Sequence, residues 1–178
     1  MIFYPIRPMS GGNLEYAGKI FGSWSYEPKY DGWRSLINNE SIMWNRHGAK
    51  LTINNSFTTA LEKLSTYGFE WYDAEALQRR HRMARGTLII LDIPSELTYS
   101  ERREIMENNF PILDINEEAK ENQIYIPPRY TDPFELWEKL KGNPFYEGIV
   151  GKKNNSLYAK QYVNSDKTFN GWIKYRYK

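Results

Sequence analysis

The sequence predicts a single α+β domain spanning residues 1–178, with antiparallel sheets flanked by helices. Three observations carry that reading. Stretches of strand character recur along the chain, at Trp24 to Ile37, Trp71 to Leu77, Thr87 to Ile93, Glu147 to Lys153 and Trp172 to Lys178. Between them lie segments whose apolar residues fall at helical spacing behind capping residues. A chain of 178 residues can bury one sizeable core but is cramped for two.

Taken in order, Met1 to Gly22 carries Pro5, Pro8 and Gly11-Gly12 with no sustained period, and is expected to be an irregular lead-in. Trp24 to Ile37 and Ile42 to Trp44 flank the polar turn Asn38-Asn39-Glu40-Ser41, which predicts a hairpin beginning at the turn around Lys29, with Lys29 at a strand's edge. Phe57, Ala60, Leu61, Leu64 and Tyr67 predict a helix over 56–67, with Ser56 as N-cap and Gly68 as its stop. In Trp71 to Leu77, alternation puts Asp73 and Glu75 on one face. Thr87 to Ile93 is a continuous apolar run, hence a buried strand. Thr98-x-x-Glu101 forms a capping box ahead of Ile105 and Met106, and Ile124 to Ile126 predicts a short strand. Asp132-Pro133-x-Glu135 supplies a cap, a first-turn proline and a returning glutamate to a last helix, which Gly142 ends.

Composition excludes several chemistries. There is no cysteine, so disulfides and thiolate catalysis are absent, and the two histidines, His47 and His81, cannot build a zinc site alone. The longest aliphatic run, Leu88 to Leu91, is far too short for a bilayer, and Met1 to Met9 lacks a signal-peptide apolar region. A soluble cytoplasmic protein without a membrane partner is expected. With a net charge of +2, any nucleic-acid surface must come from local clustering of lysine and arginine. The densest cluster is Arg79-Arg80-His81-Arg82 with Arg85, which reads equally as a phosphate-contacting or a solvated loop.

The chemistry concentrates in Glu27-Pro28-Lys29-Tyr30-Asp31-Gly32-Trp33-Arg34. A lysine attacks an electrophile as the neutral amine, a form favoured by desolvation or by a neighbouring cation such as Arg34. Read on its residues alone, the same stretch is also a charged turn. Asp73 and Glu75 suit a metal ion or a ribose hydroxyl, or simply a solvent face. In Trp172 to Lys178, alternation lines up Lys174, Arg176 and Lys178, a row that neutralises phosphate or protects a sheet edge.

Over residues 27 to 176 these elements follow the order found in the nucleotidyl-lysine family of ATP-dependent DNA ligases, RNA ligases and mRNA capping enzymes, which the sequence resembles. The resemblance implies that Lys29 is the nucleophile of a Lys-x-Asp-Gly-x-Arg motif shared with Asp31 and Arg34, with Glu27 beside it in the nucleotide site. Arg46 and Gly48 match an Arg-x-Gly element that binds ribose. Glu75 matches the glutamate of Asp-Gly-Glu, with Ala74 in place of glycine, and is implied to contact ribose and support a metal. Leu91 stands where these ligases usually stack an aromatic on the purine. Glu147-Gly148-Ile149-Val150-Gly151-Lys152 matches Glu-Gly-apolar-apolar-x-Lys, implying that Glu147 assists metal binding and lysine activation and that Lys152 contacts the α-phosphate. Lys174 matches Trp-x-Lys-x-Lys, with Arg176 replacing the second lysine.

Lys29, Asp31, Lys152 and Lys174 are thereby the expected catalytic residues. Glu27, Arg34, Arg46, Glu75, Leu91, Glu147 and Arg176 join Lys152 and Lys174 in the nucleotide site, and Glu75 and Glu147 are the metal ligands. The implied fold is the ligase adenylation domain, ATP-grasp-like, with the nucleotide in a cleft between the sheets. The implied cofactors are ATP and Mg²⁺, with NAD not expected. The implied partner is nicked duplex nucleic acid, DNA by the motif wording, met by a monomer. An RNA ligase, a capping enzyme or a nucleotide-binding module without turnover are the alternatives. Such ligases usually continue into an OB-fold domain, which this sequence is not expected to contain.

Overall fold

The computed structural model describes residues 2–20, 22–77 and 84–177. Two sheets dominate. One holds β1 (Pro8–Ser10), β2 (Trp24–Tyr30), β8 (Tyr146–Lys153) and β9 (Phe169–Arg176) in the order β1-β9-β8-β2. The other holds β3 (Trp33–Asn38), β4 (Met43–Asn45), β5 (Trp71–Leu77), β6 (Thr87–Asp92) and β7 (Ile124–Tyr125) in the order β4-β3-β5-β6-β7. The helices are α1 (Thr58–Ser65), α2 (Tyr99–Asn109) and α3 (Pro133–Leu140).

The α+β class is as expected, but each sheet is mixed. Its central pairings are antiparallel, while β1 lies parallel to β9 and β7 parallel to β6. Parallel neighbours need a long crossover, and α2 supplies one between β6 and β7. The stretch Trp24 to Ile37 is not one arm of a hairpin. It is two strands in different sheets, joined at Asp31-Gly32, and only β3 and β4 form the expected hairpin. Gly32 is needed at that crossing, since a Cβ there would stand 2.6 Å from the Ala76 carbonyl oxygen.

Two local expectations are corrected. The lead-in contains β1 and a 3₁₀ helix, Leu14–Lys19, whose N-cap Asn13 accepts from the Glu15 N–H. Neither element is long enough to display a period. Ahead of α1, a 3₁₀ turn at Asn54–Phe57 runs straight into the helix, so the N-cap position falls on buried Phe57 and not on Ser56. The capping box of α2 and the Asp132 cap of α3 form as predicted.

One face of the five-stranded sheet packs Ile37, Ala74, Leu88 and Ile90 against Leu61 and Leu64 of α1, Met106 of α2 and Phe110 at the C-cap of α2. The back of the four-stranded sheet packs Tyr26, Ile149, Ile173 and Tyr175 against Leu136 and Leu140 of α3. Each such leucine contributes roughly 2 kcal/mol relative to exposure. A third cluster, Phe3, Ile6, Leu36, Tyr158 and Trp172, ties the two sheets together at one end. With helices covering the outer faces, the remaining faces of the two sheets bound a cleft. Among the described residues no helix is long and apolar enough to cross a membrane.

Candidate active site in the cleft between the sheets

The cleft has a volume of about 780 Å³, within the range of small-molecule sites. Strand register explains which side chains enter it. Lys29 pairs with Gly148 and Glu27 with Val150, while Gly148 and Val150 pair in turn with Arg176 and Lys174. Paired residues share a sheet face, so Glu27, Lys29, Lys174 and Arg176 are delivered to the same side. Strict alternation would turn Glu147 away from this face. A register shift between Lys29 and Tyr30 pairs Tyr30 with Tyr146 instead, and the extra residue is Glu147, re-aimed as bulged residues are. Gly148 makes the shift possible: its φ is +142°, and a Cβ would lie 2.0 Å from the Tyr175 carbonyl oxygen.

At the mouth, the Lys29 ammonium donates to the Glu147 carboxylate, and Arg176 Nη2 stands 3.6 Å from the same group. Glu75 on β5 accepts the Gly32 N–H at 2.9 Å. Burial pushes the Glu75 carboxyl up to about 7 against the pull of Arg34 and Lys29, with Glu147 adding repulsion. Burial, followed by Arg176, Lys29 and Arg46, holds the Lys174 ammonium below its ordinary value. Both shifts are led by desolvation, so charge is poorly hydrated at this part of the cleft, and Arg176, Lys29 and Arg46 crowd Lys174 with like charge.

Deeper in, Arg34 makes a two-pronged pair with Asp73 and also reaches the Ile6 carbonyl at 3.3 Å. Asp73, on the face it shares with Glu75, also accepts from Tyr158 Oη at 2.6 Å and is fully buried. It serves the fold, while Glu75 lines the cleft. Lys152 reaches the cleft floor, but its ammonium is already taken. It is 2.7 Å from Glu27 Oε2, donates to the Leu91 carbonyl and sits 4.2 Å from the Trp172 ring centroid, with only 1% of the residue exposed. The other Glu27 oxygen accepts from Tyr99 and, at 3.2 Å, from Arg103.

The two sheets thus bring together Glu27, Lys29, Arg34, Arg46, Glu75, Leu91, Glu147, Lys152, Lys174 and Arg176. Asp31 is not among the lining residues; it stands in the turn past the end of β2. Arg79, Arg80, His81, Arg82 and Lys178 lie outside the described residues. Among the described residues, no three metal-ligating side chains cluster. Sequence reasoning missed the buried support: Tyr99, Arg102 and Arg103 on α2, with Arg102 bidentate on Asp92 at 2.6 and 2.8 Å. It also missed Trp172 as an aromatic of the lining. Arginines on a capped, polar-looking helix give no sequence signal of burial.

No family model matches the sequence, and no curated protein does. Solved structures do match. A Lig E DNA ligase, studied for DNA binding with a minimal scaffold, superimposes with a TM-score of 0.64 at 14% identity, over 99% of this chain and 70% of that one. The chain has the fold of DNA-ligase catalytic domains. The ligase domain of LigD from M. tuberculosis gives 0.63 at 16% identity, over 98% of this chain and 59% of that one. The Chlorella virus DNA ligase-adenylate gives 0.64 at 16% identity, over 99% and 68%.

Proposed function

We propose that this chain is the catalytic domain of an ATP-dependent polynucleotide ligase, acting on DNA, that forms a lysyl-AMP at Lys29 and seals 5′-phosphate/3′-hydroxyl nicks. The observation that carries the reading is the Lys29 ammonium at the cleft mouth, hydrogen-bonded to Glu147 and ringed by Glu75, Lys174 and Arg176. For the first step Lys29 gives up a proton, for which Glu147 is the acceptor already in contact. The amine then forms a bond to the α-phosphorus of ATP as the bond to pyrophosphate breaks. Lys174 and Arg176 offset the charge that gathers on the phosphoryl oxygens. AMP next passes from Lys29 to the 5′-phosphate of the nick, and the 3′-hydroxyl displaces it, so one difficult condensation becomes three displacements.

Glu75 and Glu147 fit a magnesium ion, which takes one or two carboxylates together with substrate phosphates and water. Burial raises the Glu75 carboxyl and Glu147 adds a smaller repulsion, and a divalent cation would offset both. When bound, Mg²⁺ supplies charge neutralisation at the phosphates. Intact mass after incubation with ATP and Mg²⁺ tests the reading: wild type gains one AMP, Lys29→Ala gains none, and GTP does not substitute. An equal gain on Lys29→Ala, or no gain by wild type, sinks it.

A further inference from the structure

We propose that Arg7 is a phosphate-binding arginine on the cleft rim, capped in the free chain by Asp166, whose carboxylate stands in for the phosphate. Arg7 lines the cleft just ahead of β1, and its side chain is 22% exposed. Its Nη1 is 2.6 Å from Asp166 Oδ1, and its Nη2 is 3.3 Å from Asn164 Oδ1, so the guanidinium fork is met by two oxygens of the segment between β8 and β9. Its backbone is fixed, because the Arg7 carbonyl accepts from the Phe169 N–H at 2.8 Å. Asp166, by contrast, is fully exposed.

The other acids of the cleft are engaged by the machinery: Glu27 with Lys152 and Arg103, Glu147 with Lys29, and Glu75 with Gly32. Asp166 engages none of it. An exposed ion pair of this kind contributes little to stability, and the arginine fork matches a phosphate as well as a carboxylate. Exchange of Asp166 for a phosphate therefore costs little. The ligand class is a phosphate oxyanion, and within the proposed ligase reaction, on which this inference rests, it comes either from the triphosphate tail of ATP or from the nucleic acid.

The test is equilibrium binding of two probes, inorganic tripolyphosphate and a nicked DNA duplex with or without its 5′-phosphate, to wild type, Asp166→Asn, Arg7→Gln and the double variant. Asp166→Asn is expected to tighten binding about two- to fivefold. Arg7→Gln weakens it about tenfold, and the double variant behaves as Arg7→Gln. An effect on tripolyphosphate assigns the triphosphate tail; an effect confined to the duplex assigns the nucleic acid, with a salt slope lower by about one in Arg7→Gln. Unchanged affinity of Arg7→Gln for both probes, or an Asp166→Asn gain that survives in the double variant, overturns the proposal. None of these readouts needs lysine adenylation, so a chain that fails to gain AMP can still pass, and one that gains AMP can still fail.

Discussion

Two lysine–glutamate pairs join β2 to β8 on the cleft face of the four-stranded sheet. In one, Lys29 of β2 meets Glu147 of β8; in the other, Glu27 of β2 meets Lys152 of β8. Their residue types are the same, and their surroundings are not. The Lys29 and Glu147 side chains are 19% and 30% exposed, those of Lys152 and Glu27 1% and 2%. Lys152 and Glu27 are further enclosed by Tyr99, Arg103, Trp172 and the Leu91 carbonyl. A buried pair with every oxygen and proton engaged is a fixture, because removing one partner strands the other's charge. A pair open to solvent on one side can trade its partner for a substrate group at smaller cost than an enclosed one. The cleft thus has a structural floor and an exchangeable mouth built from one pair of residue types.

Substitutions can break this contrast. The largest expected effect is on chemistry: Lys29→Ala abolishes AMP transfer to the protein, while thermal unfolding shows a stability change below about 1 kcal/mol. Lys152→Ala acts on folding, lowering stability by about 3–5 kcal/mol in denaturant titration because Glu27 is left buried with one cation fewer. Equal stability losses for the two variants would erase the distinction. Glu147→Gln slows adenylate formation about 10²-fold, the scale of a lost proton acceptor, with unfolding nearly unchanged; single-turnover mass measurements read it.

Smaller effects sharpen the picture. A carboxyl raised in the folded chain keeps its proton where the unfolded chain has lost it. The stability Glu75 supports is therefore present below its ordinary value of 4.5 and is lost as pH rises to about 7. Glu75→Gln keeps an acceptor for Gly32 and flattens the melting profile between those pH values. Leu91→Phe adds an aromatic to the lining and is expected to tighten ATP binding about threefold, the scale of an aromatic contact, as read by calorimetry.

What was legible in the sequence was short-range. The bounds of β5 agree with period-two alternation over Trp71–Leu77, and the cap signals of α2 and α3 lie within four residues of the groups they satisfy. The list of site residues came from the resemblance of the motifs to those of the ligase family, and all but Asp31 line one cleft. Illegible features depend on partners distant in the chain or on a single slipped residue. Trp24 to Ile37 reads as continuous strand because the crossing at Gly32 is enforced by Ala76, 44 positions away. Arg102 and Arg103 read as solvated, because a guanidinium carries the same letter whether it faces water or Asp92 and Glu27.

By itself, then, the sequence determined the strands and capped helices and the residue types available for phosphoryl chemistry, since periodicity and capping are local properties of the backbone. Only the tertiary structure decided which lysine is exchangeable and which is locked. It did so through the bulge that turns Glu147 toward Lys29 and through the arginines that close over Glu27. Burial, and with it the free energy of every charge in the cleft, is set by what the rest of the chain packs around each group.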